Sequence, residues 1–336
     1  MDFVIDFISV GNADAIIVWE KKDGQDIIIF VDGGKTGNGK DVIEHYNNFI
    51  KPNINNPVLI IVNSHPHADH INGLLEIVEH FENQISYAIY NDPLKHISTE
   101  REQEILDHYD EDPDINHLYE VFEKVKKLND LCSKYSIKRI DAFSDLDYGG
   151  LFQILSPSRA FYKEKVDFFT NVANLKQNDY TKKGGAEVNE EVEGLKPCEI
   201  VDEKNDASPE NLTSSIIEFT SSNGKKYLLT GDCGVDSFNS AEENGFTLNG
   251  YEAVQLPHHG SRRNVNSTWL YKLSPEFFVA SADGSKKHPR KAVISCIKKN
   301  IEGCKVYSTH RGGTLSISSN KSVFPTRGGW SPAAPL

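Results

Sequence analysis

The stretch "VLIIVNSHPHADHINGL", residues 58–74, constrains this chain more than any other. Val58 to Ser64 begins as a short, continuous apolar run, the signature of a strand buried on both faces. After the histidine cluster, Leu74, Leu75, Ile77, Val78 and Phe81 recur at helical spacing. His65, His67, Asp69 and His70 are thus predicted on a loop between the carboxyl end of a strand and the amino end of a helix. Imidazoles two residues apart in an extended loop can point to one side, and the adjacent Asp-His pair can reach a second position close by. Imidazole nitrogen and carboxylate oxygen together suit Zn²⁺ or Mn²⁺. The plainer reading is a histidine-rich polar loop. The composition of the cluster at the mouth of a buried strand favours the metal.

Strand patterns surround this segment. "MDFVIDFISV" alternates polar and apolar as an exposed edge strand would, and "DAIIVWE" and "QDIIIFVDGG", separated by "KKDG", read as antiparallel structure. Residues 99–136 are strongly charged, with Ile115, Leu118, Phe122, Val125, Cys132 and Tyr135 spaced as an amphipathic helix, preceded by another that Pro113 terminates. Such a stripe is read first as core-facing packing and second as a docking face for another protein. Residues 158–210 are polar, acidic and turn-rich, either a mobile loop or an excursion over a cleft. Strand patterns resume with "SSIIEFT", "KKYLLTGD", "EAVQLPHHGS" and "FFVASADG", and "RGGWSPAAPL" reads as a loose tail. Asp232 closes one of these strands, and His258 and His259 follow another. A carboxylate that bridges and a further histidine are what a two-metal centre built on the loop cluster still lacks.

These motifs resemble the metallo-β-lactamase fold superfamily. "HPHADH" resembles its H-x-H-x-D-H signature, "VDGG" its first motif, "TGD" its bridging aspartate and "HHGS" its last histidine motif. "VGNADAIIV", "NLTSSIIEF" and "SADGSKKHP" are similar to segments of the branch that contains the hydrolase domain of the competence protein ComEC. The resemblance implies an α/β (α+β) fold, a four-layer αββα sandwich spanning 1–325, with inserted helical and loop segments at about 91–145 and 158–210 and a tail at 326–336. It implies that His65 and His67 bind a first metal and Asp69 and His70 a second, that Asp232 bridges, and that His258 completes the second site, with His259 its close rival. Asp32 would orient a liganding histidine, and Asp14 would support the metal loop or else be an ordinary strand residue.

One departure stands out. Many members have a further histidine before the bridging aspartate, where this chain has Asn211. Asparagine is a poor zinc ligand. One or two divalent ions are therefore expected, Zn²⁺ or Mn²⁺ with Mg²⁺ also a candidate, the first weakly held. Asp69 is expected to orient the attacking hydroxide, and His288 or His259 to protonate the leaving group. Ser261 would hold a phosphate oxygen or, the favoured reading, cap the next helix.

Composition narrows the functions. The net charge of −13 is uneven: from Pro257 onwards 13 Lys or Arg stand against 3 Asp or Glu, a balance of +10 that leaves −23 for the first 256 residues. Arg262, Arg263, Lys286, Lys287 and Arg290 flank the late motifs and could steer a polyanion, or simply form a solvated surface. The expected activity is that of a phosphodiesterase or nuclease cleaving DNA or RNA. Hydrolysis of a lactone, thioester or small cyclic nucleotide is the alternative, and a partner-dependent scaffold docking through residues 99–136 is a third. The five cysteines are odd in number, scattered and without a C-x-x-C pair, so reduced thiols are expected. The opening residues lack a basic leader and no apolar run approaches the ~20 residues a membrane span needs, so a cytoplasmic protein without a membrane partner is expected.

Overall fold

The hairpin signal at the start of the chain sets the first layer. β1 (Asp2–Phe7), β2 (Ala15–Lys22) and β3 (Gln25–Gly33) pair antiparallel in succession. Asp23 and Gly24 turn between β2 and β3 with φ of 51° and 79°, the left-handed pair that matches strand twist in a tight hairpin. The computed structural model describes residues 1–108, 113–169, 196–203, 205–284, 287–310, 313–325 and 336.

After α1 (Asn38–His45) the chain enters β4 (Val58–Val62), which runs parallel to β3, as its unbroken apolar sequence requires. α2 (Ala68–Phe81) leads to β5 (Ile85–Ile89), and α3 (Thr99–His108) and α4 (Pro113–Lys134) lead to β6 (Lys138–Ile140). Pro113 therefore opens α4, where its missing N–H costs nothing. The α4 stripe packs inward: Val125, Leu128, Leu131 and Cys132 join the core beneath sheet one.

The second layer is built from β7 (Gln153–Ser156), β8 (Ile216–Thr220), β9 (Lys226–Leu229), β10 (Tyr251–Gln255), β11 (Phe277–Ala280) and β12 (Lys305–Ser308). β13 (Leu315–Ser318) returns to the first sheet. Among the described residues the strand orders are β13-β1-β2-β3-β4-β5-β6 and β12-β11-β10-β9-β8-β7. The two sheets bury Phe3, Ile5, Phe7, Ile217, Phe219 and Tyr227 between them, and α8 (Val235–Glu243), α9 (Ser267–Leu273) and α10 (Lys291–Asn300) cover the outside of the second. This is the αββα order of layers.

β1 is not an edge strand. β13 arrives from the far end of the sequence and pairs with it, Val4 opposite Ser318 and Phe7 opposite Leu315. The polar residue that suggested exposure, Asp6, is buried with its carboxylate 3.0 Å from His45 Nε2. The expected excursion at 158–210 contains α5 (Arg159–Val166), α6 (Pro197–Asp202) and α7 (Pro209–Leu212), while residues 170–195 and 204 lie outside the described residues. Most of the expected tail, 326–335, also lies outside them, but the Leu336 N–H donates to the Val306 carbonyl.

The cysteines correct the sequence reading. Cys198 on α6 and Cys296 on α10 form a disulfide, their Cα atoms 4.9 Å apart, and Cys132, Cys233 and Cys304 are free thiols. The pair is separated by 98 residues and meets only because α6 lies against α10, which spacing could not reveal. No helix among the described residues is long and apolar enough to cross a membrane.

Packing in the sandwich runs between two extremes. A Cβ on Gly73 would lie 1.8 Å from the Gly33 carbonyl oxygen, and the Gly73 N–H donates to Gly34 O at 2.9 Å, so bare backbone lets α2 press onto the end of β3. That contact sets the first turn of α2 beside Asp32. At the other extreme, Glu20 on β2 is fully buried with neither carboxylate oxygen hydrogen-bonded, and burial, opposed by Lys22 and the amino terminus, raises its pKa to about 7. A folded-state pKa above the unfolded one means that stability is greatest in acid and declines as pH rises toward 7. Glu20→Gln is therefore expected to stabilise the fold by roughly 1–3 kcal/mol at pH 8 and by little at pH 4, measured by urea denaturation at both pH values.

Candidate metal centre

The cluster and the later strand ends meet at one edge of the sandwich. His65 and His67 lie on the loop after β4, Asp69 and His70 in the first turn of α2, where the helix dipole favours a carboxylate. Asp232 follows β9, and His258 and His259 lie in the turn after β10. The Ser64 carbonyl accepts the Ser215 N–H at 3.0 Å, joining the loop of the first sheet to the entry of β8 in the second.

Asp232 stands between the others. Its Oδ1 is 3.3 Å from His70 Nε2, and its Oδ2 is 3.8 Å from His65 Nε2 and 3.7 Å from His258 Nε2. One compact group of potential ligand atoms is His65, His67 and Asp232; another is Asp69, His70 and His259. His259 Nε2 is 3.6 Å from Asp69 Oδ2, and its Nδ1 is 3.7 Å from Asp14 Oδ1. The imidazole placed with Asp69 and His70 is thus that of His259, whereas His258 faces the other oxygen of Asp232. The backbone explains the exchange: His258, His259 and Gly260 all have positive φ, 48°, 59° and 86°, so the chain curls left-handed and throws consecutive side chains to different sides. Left-handed conformations on two non-glycine residues cost of order 1–3 kcal/mol each and collect at working sites.

Supporting residues fix the imidazoles. Asp32, at φ 56°, accepts the Asn63 side-chain amide at 2.9 Å, the Ser64 N–H at 2.8 Å and the Ser64 hydroxyl at 2.6 Å. It also accepts His70 Nδ1–H at 2.9 Å, leaving His70 Nε2 turned toward Asp232. Ser64 Oγ, having donated to Asp32, accepts His65 Nδ1–H at 3.1 Å, so the same carboxylate orients two rings. Sequence reasoning named Asp32 for one such contact and missed the roles of Asn63 and Ser64, directly before the histidines, and of Asn264, whose side-chain amide donates to the Asp232 carbonyl at 2.8 Å.

Charge balance at the cluster calls for a cation. Burial works against a charged His70, but Asp232 and Asp32 outweigh it and hold its pKa well above the ordinary value. His259 is likewise raised to about 10, burial being overcome by Asp232, Asp14 and Asp69. Burial also opposes ionisation of Asp69 and Asp232, yet the surrounding imidazoles hold both below the carboxylate range. His65 and His258, by contrast, are pushed down, chiefly by burial. Both oxygens of Asp14, Oδ1 of Asp232, Nε2 of His70 and both nitrogens of His259 are buried without a hydrogen-bond partner. Each such atom costs about 1–3 kcal/mol if left unmet, and together they form a nitrogen-and-oxygen shell that fits one or two divalent ions.

The remaining sequence candidates fall around this shell. His288 is buried, with ring centroids 5.4 Å from His258 and 5.9 Å from His259. Burial and the charges of His258, His259, Lys287 and Arg290 push its pKa to about 2, leaving the ring neutral. Asn211, on α7, has its amide nitrogen 3.0 Å from His258 Nδ1. Ser261 does not cap the next helix: its Oγ accepts the Arg263 N–H, and Asn266 caps α9 by accepting the Trp269 N–H. Arg262 donates to the Ile200 carbonyl and pairs with Glu203, and Arg263 pairs with Asp206, so both hold the segment around α6. Lys286 lies outside the described residues.

Similarity to known families covers part of the chain. Residues 23–123 match the Metallo-beta-lactamase superfamily. The match covers Asp32 and the His65–His70 cluster but not Asp14, Asp232, His258, His259 or His288. No curated protein matches the chain. Among solved structures, the metallo-beta-lactamase fold protein YhfI from Bacillus subtilis is 11% identical with a TM-score of 0.47, covering 95% of this chain and 100% of its own. The long form RNase Z from yeast is 12% identical with a TM-score of 0.43, covering 94% and 41%. The Zn²⁺-bound PqqB from Methylobacterium extorquens is 11% identical with a TM-score of 0.40, covering 90% and 86%. The chain folds as an αββα sandwich, and residues 23–123 within it carry the similarity to the metallo-β-lactamase superfamily.

Proposed function

We propose that the chain is a metal-dependent hydrolase of phosphodiesters, cleaving DNA, RNA or a smaller nucleotide, of the ComEC-like kind. The observation that carries the reading is the meeting of unpartnered histidine and aspartate atoms from both sheets beside two cationic residues, Lys287 and Arg290, close enough to depress His288. His65, His67, Asp69, His70, Asp232 and His259 would hold the ions. Bound divalent ions would supply Lewis acidity toward the scissile phosphoryl group.

The protein's own groups do the rest. Asp69 is the most accessible carboxylate of the cluster, its side chain 30% exposed against 2% or less for Asp14, Asp32 and Asp232, so it is placed to accept a hydrogen bond from an attacking water. His288, whose pKa burial lowers, would donate an N–H to a substrate oxygen. Lys287 and Arg290 favour an anionic substrate over a neutral lactone or thioester.

The test is turnover of plasmid, single-stranded DNA, RNA, cyclic nucleotides and an activated phosphodiester, each with Mn²⁺, Mg²⁺ or Zn²⁺, beside lactone and thioester substrates and the His67→Ala variant. Phosphodiester cleavage that falls by at least about 100-fold in the variant is the expected result. Turnover of lactones or thioesters alone, or cleavage that His67→Ala leaves unchanged, overturns the proposal.

A further inference from the structure

Resting on that reading, the geometry points to His258 as the third imidazole of the first metal site, where Asn211 stands in for a histidine, and to Asn264 as the residue that positions it. The argument starts with Asn264, which is buried. Its side-chain nitrogen lies 2.8 Å from the carbonyl oxygen of Asp232 and 3.3 Å from that of Cys233. Carbonyls only accept, so this end of the amide is the donor, and the other end, Oδ1, is the acceptor that faces His258 Nδ1 at 3.1 Å. The proton of His258 is therefore on Nδ1. Asn211, whose amide nitrogen is 3.0 Å from the same ring nitrogen, cannot donate to a nitrogen that already carries a hydrogen; with its amide turned, its oxygen shares that proton.

The consequence falls on the opposite ring atom. His258 Nε2 carries a lone pair and lies 3.7 Å from Asp232 Oδ2. His65 Nε2, whose lone pair is fixed through Ser64 and Asp32, lies 3.8 Å from the same oxygen, and 3.0 Å from His67 Nδ1. Lone pairs from His258 and His65 thus converge on one carboxylate oxygen, an arrangement that repels unless a cation sits among them. The curl at His258 and His259 turns the two rings apart: His259 groups with Asp69 and His70, while His258 reaches the Asp232 oxygen that His65 also faces. The turn is held to Asp232 twice over, through Asn264 and through the His258 N–H, which donates to the Gly231 carbonyl at 3.1 Å.

Counting ions tests this without any substrate. Chelated protein is reloaded with Zn²⁺ and, separately, Mn²⁺, and bound metal per chain is measured by elemental analysis and titration calorimetry, with circular dichroism to verify folding. Wild type is expected to bind two ions, and His67→Ala, His258→Ala and His259→Ala one each. The double variant His67→Ala/His258→Ala is expected still to bind one, because both residues serve the same ion, whereas His67→Ala/His259→Ala is expected to bind none. Asn264→Ala should weaken one of the two ions by about 10–100-fold and move the His258 proton from Nδ1, seen in imidazole ¹⁵N spectra. Wild type that binds a single ion, or a His67→Ala/His258→Ala double variant that binds none, overturns the assignment. Two correctly assigned ions with no phosphodiester turnover would instead leave the assignment standing and remove the proposed function.

Discussion

Asp232→Ala is expected to strip the protein of its ions and to lower hydrolysis by on the order of 10³-fold or more, the several kcal/mol that metal assistance is worth. Asp232 faces three imidazoles, Oδ1 toward His70 and Oδ2 toward His65 and His258. Its neighbours are placed otherwise: Asp14 lies 3.7 Å from Nδ1 of His70 and 3.7 Å from Nδ1 of His259, and Asp32 is taken up by hydrogen bonds from Asn63, Ser64 and His70. Elemental analysis beside single-turnover rates checks the expectation. Retention of both ions at full activity would show that the carboxylate is a bystander and that the ligand shell lies elsewhere.

The second large effect is expected at a residue that need not touch an ion. Asp32→Ala removes the acceptor for Asn63, the Ser64 N–H, the Ser64 hydroxyl and His70, all buried, and is expected to destabilise the fold by about 3–5 kcal/mol. Asp32→Asn separates shape from charge. Its retained oxygen can still serve Asn63 and the Ser64 N–H, which meet Oδ1, but its new N–H₂ would face the Ser64 hydroxyl and His70 Nδ1, which both donate to Oδ2. The variant should fold better than Asp32→Ala yet lose metal affinity nearly as fully, because the proton of His70 is driven to Nε2. Chemical denaturation and metal titration on both variants check this. Equal stability of wild type and Asp32→Asn, with unchanged affinity, would show that the tautomer of His70 is not set here.

These expectations also show where sequence was enough and where it was not. The alternation of apolar runs and turn residues placed β4, α2 and the strands that precede Asp232 and His258, because burial on one or two faces imposes a period that residue types reveal. The convergence of His65 to His70 with Asp232 depends on the two sheets meeting at one edge, and was reached through motif order, not periodicity. Which of His258 and His259 faces which neighbour depends on two positive φ angles, for which histidine carries only a weak signal. The buried β1 and the Cys198–Cys296 link were out of reach for a common reason: each depends on a partner far along the chain. Arg262 and Arg263 read as free to steer a polyanion only while Glu203 and Asp206 were invisible as their partners.

The bond between Ser64 and Ser215 bears on how anything reaches this edge. It ties the two sheets together one residue before His65, so parting the halves there would have to break it. Asp69 and His258 are among the members of the cluster that solvent meets, their side chains 30% and 22% exposed, so exchange at this edge begins with such side chains.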